Sequence, residues 1–309
     1  MAVVDTSPVR GTQSFVRTLS HCWRRPSLTA LEILWRWAFG LPALAIIAYQ
    51  AMRVWRATPV DVASLQRMSI LDPMAAAETL AQAVSALLPP VLAIAAWLAP
   101  LLAVTWVVAS ALGRGIVLRH VDARLHARPL TLMLLQALRM TALAVSFAVW
   151  FACLRAAAHT AIERPIAAGA EPNLVLYSAL VIVATLGLFT LWAVVSWGLS
   201  VAPLTAMQRN LGARASLAAA FRVGPLKSKL VEINLVMGIV KIALIVLAIV
   251  LSACPLPFES VATPDFMQWW YLVVTVIYLI ASDFFHVVHL VAYVELGKAF
   301  DHADFNVPS

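Results

Sequence analysis

Residues 79–113 and 172–208 contain no Asp, Glu, Lys or Arg. A helix needs ~20 consecutive apolar residues to cross the ~30 Å hydrocarbon core of a bilayer, and each of these runs exceeds that length. The composition points the same way. Hydrophobic residues make up 62% of the chain and charged residues 12%, with a mean hydropathy of +0.89, whereas soluble domains carry about 25% charged residues. Lipid offers the backbone no hydrogen bonds, and apolar runs this long do not suit barrel strands, which leaves helices. The chain is therefore expected to be an all-α, polytopic integral membrane protein.

Windows of about 19 residues place six spans near residues 31–52, 86–112, 132–155, 174–203, 232–255 and 268–292. This divides the chain into an N-terminal arm (1–27), a six-helix transmembrane domain (28–297) and a short tail (298–309). The first 27 residues have no apolar run followed by a small-residue cleavage site, so no secretory signal peptide is expected. Lys and Arg set the orientation. Fourteen lie before span one, after span two, after span four and after span six, against five on the other side: Arg53, Arg56, Arg67, Arg155 and Arg164. The positive-inside rule assigns the rich side, with both termini, to the cytoplasm, as in a bacterial inner-membrane protein. Tyr49, Trp150, Trp269, Trp270 and Tyr271 fall at the opposite ends, where amphipathic rings favour the headgroup level.

Each odd span follows a basic segment, a Pro and then a polar pair: Pro26 with Glu32 and Arg36, Pro129 with Gln136 and Arg139, Pro225 with Glu232 and Asn234. The prolines lie 103 and 96 residues apart. This predicts three helical hairpins, each entered by a cytoplasmic elbow helix, with Pro placed where a missing N–H is harmless. In the segment from Arg214 to Arg222, basic ends flank a short apolar stripe, which suits a helix lying in the headgroup layer. Arg214, Arg222, Lys227 and Lys229 would then reach anionic phosphates. Positive-inside topology alone also accounts for this charge. The segment from Arg214 to Lys229, with its surrounding hairpins, resembles the bacterial six-helix families that include the YciC-like proteins and the membrane domain of some glycerophosphodiester phosphodiesterases. That resemblance implies a fold and a membrane location. It implies no catalytic residues, because the soluble phosphodiesterase domain is not present here.

Four spans carry an ionisable residue at matching depth. Arg36 precedes 16 uncharged residues before Arg53, Arg139 precedes 15 before Arg155, Lys241 precedes 17 before Glu259, and Asp283 follows 17 after Asp265. At 1.5 Å per residue all four lie roughly 24 Å from the outer side, in the inner leaflet. With Glu32 and Glu232 the layer holds three positive and three negative groups. An unpaired charge at the bilayer centre costs about 2.5–3.5 kcal/mol, so partners, cavities or water are expected around them. Glu32 and Arg36 are four apart in the favourable order. Arg and Lys can instead snorkel to the interface, whereas Asp283 is too short to do so. The layer therefore reads either as structural pairing or as a functional site.

Asp283, His286 and His289 recur at every third position, forming one polar stripe on the last span. Such a stripe could relay protons or contribute to a metal site. The alternative is hydrogen bonding of His286 to a neighbouring helix, with His289 at the interface. No further ligands at matching depth complete a metal set, so neither metal nor cofactor is expected. Nucleotide-loop, zinc-protease and nucleophile-elbow motifs are absent from the sequence. The enzyme closest in spacing is a rhomboid-type protease, represented by Gly198-Leu199-Ser200 and His286. Val201 replaces the expected second Gly, and span two has no His. Cys153 and Cys254 could pair only if spans three and five are neighbours. The first outer segment, 53–85, carries Leu65, Met68, Ile70, Leu71, Met74, Leu80 and Val84, which predict a surface helix broken at Pro73.

These readings converge on a non-catalytic inner-membrane protein, a lipid-facing scaffold or accessory subunit of an envelope or transport system. Its expected partners are anionic lipid headgroups and a protein within the membrane, not nucleic acid. The competing expectation is a proton-coupled secondary transporter that uses the inner polar layer.

Overall fold

The computed structural model describes residues 11–59, 61–66, 73–222, 227–253 and 263–304. Its helices are α1 (Gly11–Trp23), α2 (Pro26–Ala57), α3 (Val62–Gln66), α4 (Pro73–Val121), α5 (Pro129–Ala158), α6 (Arg164–Ala167), α7 (Leu174–Gln208), α8 (Ala213–Arg222), α9 (Lys227–Ala253) and α10 (Pro264–Asp304). One π-helical turn, His159–Glu163, joins α5 to α6, and the described residues form no strand. Among the described residues, six helices are long and apolar enough to cross a membrane: α2, α4, α5 with its continuation to Ala167, α7, α9 and α10. The protein is an all-α polytopic membrane protein, and each of these helices coincides with an expected span.

Several helices outrun the membrane. At 1.5 Å per residue, the 49 residues of α4 extend over about 73 Å, more than twice the ~30 Å of hydrocarbon. The helix runs through Pro89, Pro90 and Pro100. Pro73, the expected break in the surface helix, follows residues 67–72, which lie outside the described ones. It opens α4, where a residue without an N–H removes no helical bond, and Leu80 and Val84 lie within the same helix. Among the described residues, α3, five residues long, is the separate helix of the expected surface element. Met68, Ile70 and Leu71 lie outside the described residues.

The chain forms two compact units, Leu34–Ser110 and Met1–Ile33 with Ala111–Ser309. In the larger unit α5 packs on α7 and α9 on α10, each pair a hairpin. Indole donors pin both hairpins toward the ends away from the arginine-rich connections. Trp150 Nε1–H donates to Thr185 Oγ1 at 3.1 Å, and Trp270 Nε1–H donates to the Leu251 carbonyl at 2.7 Å. The core gathers at the other, basic end. Leu132 and Leu135 of α5, Ala202 and Met207 of α7, Ala220 of α8 and Val294 of α10 form one cluster. Cys22, Leu28, Val287, Val288 and Val291 form a second. In the smaller unit the start of α2 meets the end of α4 through rings, with Trp35 and Phe39 lying 5.8 and 5.1 Å from Trp106.

The elbows are less regular than the sequence pattern suggests. α1 precedes α2 and α8 precedes α9, but the second hairpin has no elbow helix: α4 continues to Val121 and a turn, 122–128, leads directly into Pro129. Pro225 lies outside the described residues. The N-terminal arm is also not free-standing, because α1 packs on α10 and α9. α7 stops where Asn210 takes a left-handed conformation (φ 55), one that Asn tolerates better than most residues. The Leu211 N–H then closes on the Ala206 carbonyl at 3.1 Å, the six-to-one bond of a Schellman cap. The 122–128 turn docks on this cap: the His126 N–H donates to the Met207 carbonyl at 3.0 Å, and Arg128 Nε–H donates to Asn210 Oδ1 at 2.7 Å.

Candidate functional site

The basic end of α10 holds the densest set of polar side chains. Asp283 is buried at 5% exposure and Glu32, near the start of α2, at 0%. His286 Nε2 stands 3.6 Å from Glu32 Oε1, which is within ion-pair range for a protonated imidazole but too long for a hydrogen bond. His289 Nε2 is buried with no hydrogen-bond partner among the described residues, and its ring lies edge-on to Tyr293 at 4.4 Å. The Tyr293 hydroxyl donates to Asn234 Oδ1 at 2.7 Å and ties α10 to α9. Lys241 and Arg114 both act electrostatically on His289. Beyond Tyr293, Glu295 Oε2 accepts the Thr18 hydroxyl of α1 at 2.7 Å.

The arrangement is therefore a chain of helix-to-helix pairs distributed along α10. Glu32 and His286 come together across 254 positions of sequence, as do Asn234 and Tyr293 across 59. Gln136 is buried on α5, Arg139 is half-buried and Glu232 is exposed. Arg36 belongs to the smaller unit, where its guanidinium lies 5.7 Å from the Trp35 ring centre. Four residues of this set escaped the sequence reading: Tyr293, Arg114, Thr18 and Glu295. Tyr293 continues the stripe from His289 at four residues, and Arg114 is the first charge after the uncharged run 79–113, so both carried a usable signal.

On α8, Ser216 and Ala220 are buried while Arg214 and Arg222 are exposed. The Thr205 hydroxyl of α7 donates to the Ser216 carbonyl at 3.2 Å. Gly198 leaves room for the Phe221 ring, which a Cβ at that position would strike. Lys227 and Lys229 open α9, and their side chains lie outside the described residues. The Ser200 hydroxyl donates to its own helix, at the Ser196 carbonyl, at 2.7 Å. Cys153 is a half-buried free thiol, and Cys254 lies outside the described residues. The buried Cys22 thiol is pushed up to about 11, first by burial and then by the nearby Glu295 carboxylate.

Among the described residues, no three His, Cys, Asp or Glu side chains gather in a group able to hold a metal. Chemically, the carboxylate–imidazole pair and the neighbouring buried imidazole could exchange protons, and the remaining pairs join helices. Comparison with protein-family models, with curated proteins and with solved structures found no match.

Proposed function

We propose that this chain is a non-catalytic, lipid-facing scaffold or accessory subunit of a bacterial envelope or transport system, set in the inner membrane with both termini in the cytoplasm. One observation carries this reading: the polar groups of the spanning helices meet as pairs between helices, at Glu32–His286 and Tyr293–Asn234. Groups used in this way hold an assembly together. The exposed Arg214 and Arg222 of α8, with Lys227 and Lys229 next in sequence, suit contact with anionic headgroups at the membrane surface. The test is assembly. Arg214→Gln with Arg222→Gln should lower the yield of membrane-inserted protein or its recovery with a membrane partner, and unchanged assembly counts against the proposal.

A second reading rests on His289, whose Nε2 is buried without a partner beside the Asp283 and His286 stripe. It is proton-coupled transport, with Asp283 and His286 carrying the proton. In proteoliposomes holding this chain alone, a pH-dependent flux abolished by Asp283→Asn would favour it over the scaffold. A chain that carries no flux removes it.

A further inference from the structure

A cavity of about 450 Å³ opens at the basic end where α4, the 122–128 turn and α5 meet. Its wall is apolar, formed by Leu112 and Ile116 of α4, Leu132 of α5 and Met207 of α7, and its rim carries Arg119, His120 and Arg128. No carboxylate lines it. Asp122, the nearest in sequence, turns one oxygen to the Arg124 N–H at 3.0 Å. Arg119 and His120 are exposed and have no partner among the described residues. Arg128 is held in place by its Nε–H bond to Asn210, which leaves its terminal nitrogens for a ligand. It also caps α5 without a side-chain bond to the first turn, so the positive end of that helix faces the same region.

We infer that this cavity holds the phosphate of an anionic phospholipid, with Arg119, His120 and Arg128 on the headgroup and the first acyl carbons along Leu112, Ile116 and Leu132. The division of the lining is the argument. A soluble phosphate ester would need only the basic rim, whereas a lipid needs a charged rim that continues into an apolar wall on the spanning helices, which Leu112, Ile116 and Leu132 supply. Guanidinium groups suit a phosphate through paired N–H donors. The site lies on other residues than the α8 arginines, and Gly115 in its wall has space around it: a Cβ there would meet only Leu132 Cδ1, at an ordinary 3.5 Å.

The inference rests on the reading of this chain as lipid-facing, and the experiment separates the two. The full chain is placed in nanodiscs of phosphatidylcholine with a minor fraction of phosphatidylglycerol, extracted gently and weighed by native mass spectrometry. One retained phosphatidylglycerol per chain is expected. Arg119→Gln with His120→Gln should reduce retention by roughly tenfold, given the worth of each basic side chain near an anionic headgroup. Gly115→Leu, which fills the cavity without changing charge, should do the same. Arg155→Gln with Arg164→Gln, exposed residues outside the cavity lining, should leave the retained lipid in place. Equal retention in all variants overturns the site and leaves the lipid-facing reading standing, whereas no retained anionic lipid in the wild type overturns both. Displacement by millimolar glycerol phosphate as readily as by lipid overturns the lipid assignment in favour of a soluble ester.

Discussion

Within Leu34–Ser110, only Val54, Leu98 and Ser110 are buried among the described residues, whereas in the larger unit one stretch of α10 buries Val287, Val288, Val291, Ala292, Tyr293 and Val294. Both regions are strongly apolar, so hydrophobicity does not explain the difference. Lipid tails are as apolar as Leu, and helices gain nothing from exchanging one for the other. They associate where small residues allow close approach or where polar groups need partners. The larger unit has both: Gly198, Ala202, Ala206 and Ala220 at the α7–α8 contact, and Glu32–His286 and Tyr293–Asn234 between helices. In the smaller unit Thr105 bonds only carbonyls of its own helix, Leu101 and Leu102, and Trp106 meets Trp35 and Phe39 through bulky rings.

The largest expected effect follows from removing the polar join. Glu32→Ala strips a wholly buried carboxylate from its imidazole partner and should cost about 3 kcal/mol, read as the shift in unfolding midpoint with rising dodecyl sulfate. Thr105→Ala in the smaller unit should stay within about 0.5 kcal/mol. A double-mutant cycle of Glu32→Gln with His286→Gln should return a coupling of about 1–3 kcal/mol. If both regions respond alike, polar pairing is not what distinguishes them.

Glycine gives a sharper comparison at smaller cost, because one substitution can be made in each region. A Cβ at Gly198 strikes the Phe221 ring, whereas one at Gly40 meets nothing within 4 Å. Gly198→Ala should therefore destabilise by about 1–3 kcal/mol through overpacking of α8 on α7. Gly40→Ala should be neutral or stabilise by up to about 1 kcal/mol from helix propensity. Thermal unfolding in one detergent checks the pair, and equal shifts would show that α8 is not seated on Gly198.

The six spans were legible because the hydrocarbon sets a minimum run of apolar residues, and hydropathy measures that run directly. The ends of the helices were not. α4 begins at Pro73, about a dozen residues before its apolar window, because a helix can leave the membrane without changing its backbone, and Glu78 and Gln82 are as good in an exposed helix as in a loop. The depth count drew Asp283, Lys241, Arg139 and Arg36 into one layer. It could not choose partners, since pairing Glu32 with His286 or Asn234 with Tyr293 depends on which helices are neighbours. The elbow repeat failed at its second copy for a related reason. Pro129 starts a helix whether an elbow or a turn precedes it, and the bonds that hold the turn come from Met207 and Asn210, some eighty residues away.

The smallest predicted effect concerns whether α1 belongs to the packed core or only lies near it. Burial, and then the Glu295 carboxylate, push the Cys22 thiol up to about 11 from an ordinary 9.0. At pH 8 that difference lowers the thiolate fraction roughly a hundredfold, and the thiolate is the form that reacts. With Cys153 and Cys254 replaced by Ser, maleimide should therefore label Cys22 far more slowly than a free thiol. Thr18→Val removes the hydroxyl that holds α1 to Glu295, a bond worth about 1 kcal/mol, and labelling should quicken by roughly fivefold as α1 opens more often. The direction with pH follows from the raised value. The neutral thiol favours the folded state fully below pH 9, and that contribution fades as pH climbs toward 11, so α1 should loosen in alkali and not in acid. Labelling of the wild type at the rate of a free thiol would place α1 outside the core and shorten the contrast between the two units to α10 and its neighbours.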